Sequence, residues 1–95
     1  MYMSSMNAGE VWYILAREIS ETEADKAVAD LLGLGIQLID TSWPLTRIAA
    51  GFKAHHRMSY ADCFAAALAI DRKAELVTGD KEFKQVEAEV NIRWL

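Results

Sequence analysis

At 95 residues, 53% hydrophobic and 25% charged, the chain has enough apolar surface for a core and too much for intrinsic disorder. A net charge of −4 and a pI near 5.0 argue against holding nucleic acid by a broad basic face, and one cysteine allows no internal disulfide and fits a reducing cytosol. No apolar run approaches the ~18 residues of a membrane span, and residues 1–7 lack the basic start and apolar centre of a signal peptide, so one cytoplasmic domain over residues 1–95 is expected.

The first helix is expected after Asn7, with Val11, Trp12, Leu15 and Ile19 on one face. Ser20-Glu21-Thr22-Glu23 reads as a capping box that opens a second helix bearing Ala24, Ala27, Val28, Leu31 and Leu32, and Gly33 and Gly35 stop it. Ile36 to Ile39 is a short strand ending at Asp40. Ser42 caps a third helix with Pro44 in its first turn and Leu45, Ile48, Ala49 and Phe52 as its apolar stripe. A fourth helix runs from Ser59 to about Lys73. Leu76 to Thr78 is a strand, Asp80 caps a short helix bearing Phe83 and Val86, and Val90, Ile92 and Trp94 alternate in a last strand.

Strands separated by helices predict an α/β fold with a parallel sheet. Five helices beside three short strands, with a helix at the start, make a lopsided inventory for such a sheet. A strand is therefore expected to be missing before Met1, or supplied by another chain.

Three carboxylates stand out. From Tyr60 to Ile70 the sequence is apolar except for Asp62, and an ionised carboxylate on a helix apolar all round is costly unless paired or coordinated. Ser59-x-x-Asp62 is also a capping box, so a helix-end role and a ligand role both account for it. Asp80 follows a strand and Gly79, at the carboxyl edge where open α/β sheets bind ligands, and it also suits a plain N-cap. Glu10 stands three residues after Asn7 in the same capping spacing. All three are expected at helix N-termini, which converge on one edge of a parallel layer. Converging carboxylates repel one another, and Mg²⁺ or Mn²⁺, which prefer oxygen ligands, relieve that repulsion.

The segments Asn7-Ala-Gly-Glu10-Val-Trp-Tyr13-Ile-Leu, Met58-Ser-Tyr-Ala-Asp62-Cys-Phe-Ala-Ala-Ala-Leu-Ala and Leu76-Val-Thr78-Gly-Asp80-Lys-Glu-Phe83 resemble, in order, the motifs of PIN domains that carry their second, third and fourth acidic residues. The likeness runs from Asn7 to Leu95, closest in flavour to VapC-like toxins. It implies a PIN-like three-layer α/β fold, a short parallel sheet flanked by helices, here N-terminally truncated. Such domains begin with a strand ending in an aspartate, and nothing precedes Tyr2 to supply it. Asp40-Thr41-Ser42 follows the second helix and is assigned to a turn and helix cap.

The resemblance further implies a Mg²⁺- or Mn²⁺-dependent endoribonuclease that hydrolyses RNA phosphodiesters. Asp62 and Asp80 would hold the metal, Glu10 would orient a ligand water, and Thr78 would hydrogen-bond a carboxylate or the substrate. The alternative is a non-catalytic remnant acting as a homo-oligomer or as the partner of an antitoxin-like protein. A third reading is an unrelated α/β binding domain whose acids are only caps. Lys53, His55, His56 and Arg57 form a basic spot, read as a solvated helix end in preference to a phosphate contact. Cys63 lies in an apolar helix without a base partner, which speaks against a nucleophile, and Trp12, Tyr13 and Trp94 are assigned to core or interface.

Overall fold

The computed structural model describes residues 1–95, and their contacts fall into two compact units, Met1–Thr41 and Ser42–Leu95. The first contains β1 (Tyr2–Ser4), α1 (Ser5–Glu18), α2 (Glu21–Gly33) and β2 (Gln37–Ile39). The second contains α3 (Trp43–His55), α4 (Tyr60–Asp71), β3 (Leu76–Thr78), a 3-10 helix (Lys81–Val86) and β4 (Ile92–Trp94).

In the first unit two strands lie parallel, with Met3 opposite Leu38, and the helical hairpin α1–α2 carries the crossover between them. Trp12 donates its indole N–H to Asp25 across that hairpin at 2.8 Å, and Ala8 and Ala24 are buried. Here the expected start is corrected: the chain opens on a strand, and α1 begins at Ser5 rather than after Asn7. The cause is Ser4, which is extended and fully buried. Its hydroxyl accepts the Asn7 amide at 3.1 Å and donates to the Asn7 side-chain oxygen at 2.5 Å. The cap therefore sits three residues earlier than the one read from Asn7. Ile19, expected on the apolar stripe, lies beyond the helix end and is 66% exposed.

The second helix is bounded as its sequence predicts. Ser20 accepts the Glu23 amide at 3.1 Å. At the other end Gly35 adopts φ +90°, while the Ile36 amide reaches the Leu31 carbonyl at 3.4 Å and the Gly35 amide that of Leu32 at 3.1 Å. That pair of bonds is a Schellman motif, and its left-handed residue favours glycine.

The second unit holds most of the core. Leu45, Ala49 and Phe52 line one face of α3, below a Ser42 cap and Pro44 in the first turn. They meet α4, which buries Ala61, Cys63, Phe64, Ala66, Ala67, Leu68 and Ala69. Those residues cover nearly all sides of the helix, and its many alanines let neighbouring backbone come close. Phe83, Val86 and Val90 add to the buried set. Strands β3 and β4 pair in parallel, Val77 opposite Arg93, with the 3-10 helix in the connection. The strands expected at Ile36 to Ile39 and Leu76 to Thr78 each find a parallel partner in their own unit: β2 takes β1, and β3 takes β4. The expected three strands become four, and the expected fifth helix is of the 3-10 kind.

Helix α4 ends with a second Schellman motif, the Ala74 amide on the Ala69 carbonyl at 2.9 Å and the Lys73 amide on that of Ile70 at 3.1 Å. Its left-handed position, φ 52°, is occupied by Lys73 instead of glycine. Two equivalent turns with opposite residue choices predict opposite effects. Urea unfolding of Gly35→Ala should show a loss of about 1 kcal/mol, and Lys73→Gly a gain of up to about 1 kcal/mol. Equal signs for the two changes would contradict the assignment of these caps.

Candidate functional site

Asp62 stands in the first turn of α4, where Ser59 caps the helix and its hydroxyl accepts the Asp62 amide at 3.1 Å. The box is one-sided: the Asp62 carboxylate, half-buried, does not close a bond back to the start of the helix. Its negative charge faces the positive end of the helix dipole, which steadies it without consuming its oxygens.

Asp80 is exposed and caps the 3-10 helix, with its Oδ1 accepting the Glu82 amide at 2.9 Å. Its own amide donates to Thr78 Oγ1 at 3.0 Å, so the hydroxyl at the end of β3 shapes the turn that presents this carboxylate. The Thr78 carbonyl accepts the Leu95 amide at 3.0 Å, which continues the β3–β4 ladder up to the same turn. Asp80 is thus a true helix cap while Asp62 is held through its amide by the Ser59 cap, and each leaves carboxylate oxygen unused.

Glu10 departs from the expectation that all three acids sit at helix N-termini. With α1 starting at Ser5, it lies in the second turn, half-buried, and the first turn carries no acid. Within neither unit do three His, Cys, Asp or Glu side chains gather into a group that could hold a metal ion. An open depression lined by Glu87, Val90, Ile92 and Trp94 contains none of the four candidate residues.

A cation reaches the turn that precedes α4. Lys53, in the last turn of α3, donates Nζ to the Met58 carbonyl at 2.7 Å. Burial pushes the Cys63 thiol above its ordinary value; the Lys53 charge works against that and the Asp62 charge adds to it. A buried, protonated thiol is neither a nucleophile nor a soft metal ligand at neutral pH, as its place in the apolar helix suggested. Lys53 and His55 lie in the last turn of α3, the helix-end placement expected of the basic spot.

One residue escaped the sequence reading. Gln85, on the 3-10 helix, accepts the Arg57 amide on Oε1 at 3.0 Å, and its Nε2 donates to the Arg57 carbonyl at 3.2 Å and the Glu82 carbonyl at 3.1 Å. Its main partners are backbone atoms 28 positions away, and no side-chain pattern encodes such a contact.

The sequence matches the PIN domain family over residues 1–89, a span that includes the first unit and most of the second. Two solved structures share the fold. One is VapC20 of Mycobacterium tuberculosis, described as a Sarcin-Ricin loop cleaving toxin, at 18% identity and TM-score 0.73, covering 94% of this chain and 70% of that one. The other is VapBC2 of Rickettsia felis, bound to a DNA fragment from its promoter, at 20% identity and TM-score 0.74, covering 97% of this chain and 72% of that one. No curated protein sequence matches the chain.

Proposed function

The chain belongs to the PIN-domain family, and on that footing we propose that it is a divalent-metal-dependent endoribonuclease of the VapC type. The observation that carries the reading is the pair Asp62 and Asp80, each held by backbone and hydroxyl contacts that leave carboxylate oxygens available. The donor set is hard oxygen, and Mg²⁺ is commonly held by one or two carboxylates with waters and substrate phosphates completing its shell. Mg²⁺ or Mn²⁺ therefore fits these residues better than a metal that favours thiolate.

When bound, the ion would acidify a water and stabilise negative charge on the phosphate. Asp62 and Asp80 are its proposed ligands. Glu10 is assigned, on the family motif alone, to orienting a water. Thr78 accepts the Asp80 amide, and its hydroxyl proton is left to donate to a carboxylate or a phosphate oxygen. The substrate class is RNA, whose phosphodiester is the bond broken. No helix is long and apolar enough to cross a membrane, and a cytoplasmic site of action agrees with the one reduced cysteine.

A protein partner belongs to the same proposal, either a second copy of the chain or an antitoxin-like protein. It is supported by the large apolar side chains exposed on the first unit, Met1 at 85%, Ile19 at 66% and Leu34 at 80%, with Tyr2, Met6 and Tyr13 also exposed. Light scattering at micromolar concentration should report a dimer or larger; a stable monomer would remove the second copy and leave only the antitoxin-like partner.

Asp62→Asn tests the metal role. Calorimetric titration should show Mn²⁺ affinity reduced by more than about a hundredfold, beyond the usual effect of outer-shell changes. RNA hydrolysis should be lost with it, while the unfolding midpoint should change little, because the helix-dipole interaction given up is small. Unchanged affinity with a small loss of stability would make Asp62 a helix cap and no more.

A further inference from the structure

Gln85 does more than cover surface. Its side chain is exposed, and exposed glutamines ordinarily keep their rotamer freedom, yet both ends of this amide are committed to three backbone groups. The orientation is fixed by chemistry: the oxygen meets an N–H and the nitrogen meets two carbonyls, so the flipped amide would set like against like. What those bonds join is specific. Arg57 lies two residues before Ser59, the hydroxyl that holds the Asp62 amide. Glu82 supplies the amide that holds the Asp80 carboxylate at 2.9 Å, while its carbonyl is taken by Gln85. One side chain therefore ties the turn that sets Asp62 to the turn that sets Asp80. The first of these turns has a second tie, from Lys53 to the Met58 carbonyl, but that bond does not reach the 3-10 helix.

We propose that Gln85 is a positioning residue that holds the Asp62 turn and the Asp80 turn in register for a shared divalent cation. The inference rests on the metal-dependent reading above and adds a residue that touches neither ion nor substrate. Partners of this outer kind set how well ligating groups are oriented, and their loss typically weakens metal binding about 10–100-fold.

The test uses the full chain and Gln85→Met, which keeps the length and bulk of the side chain and removes all three hydrogen bonds. Amide hydrogen exchange and calorimetric Mn²⁺ titration are measured on both, with Gly35→Ala as a variant destabilised from the other unit. In Gln85→Met, exchange should quicken together at residues 57–62 and 80–82, and Mn²⁺ affinity should fall by about tenfold or more. Gly35→Ala should leave that affinity unchanged, which separates register from general loss of stability. Quickening confined to residues 82–85 with unaltered affinity would overturn the proposal. If the parent chain itself takes up no Mn²⁺, the metal reading fails, and the exchange pattern alone then decides whether Gln85 couples the two turns.

Discussion

A carboxylate on a helix that is buried on nearly every face must either be neutralised, paired or confined to the one end where the helix itself favours negative charge. Helix α4 takes the last course: its core-facing residues run from Ala61 through Ala69, and its single acid before the final residue is Asp62 in the first turn. The rest of the second unit follows from that placement. α3 packs along α4, β3 leaves it through the turn at Lys73, and the Thr78 hydroxyl shapes the next acidic turn at Asp80. Burial of the helix fixes where its open end must be, and the open end is where polar chemistry can occur.

Much of this was legible from residue order. The caps at Ser20, Ser42, Ser59 and Asp80 are local devices, written in four consecutive residues or fewer, and all four cap their helices, although the boxes read at Ser20 and Ser59 close only through the serine hydroxyl. The all-round apolar character of residues 60–70 likewise announced a buried helix. Strand β1 was not legible, because three residues cannot display a period, and its evidence is the pairing with Gln37–Ile39 far along the chain. The same omission displaced the start of α1 and, with it, the argument that Glu10 shares a helix N-terminus with the two aspartates. Gln85 was invisible for a related reason: its partners are main-chain atoms, which every residue carries alike.

The two units differ in how they are held. The second has a continuous apolar interior, whereas the first buries only Ser4, Ala8 and Ala24 and leans on caps, a parallel strand pair and the Trp12–Asp25 bond across its hairpin. Apolar side chains that remain on its surface are the physical ground for the proposed protein partner. Fold similarity to VapC structures, at 18% and 20% identity, concerns the backbone arrangement, which persists where most side chains have changed.

The central claim is that Asp62 and Asp80 serve one divalent cation. Paramagnetic Mn²⁺ broadens the amide resonances nearest to it, so a substoichiometric titration followed by NMR locates the ion directly. The account predicts that the amides around Asp62 and Asp80 fade together and first, before those of the acid-rich first turn of α2 at Glu21 and Glu23. Broadening that spreads evenly over the acidic surface, or that reaches Asp62 and Asp80 at different concentrations, would contradict it.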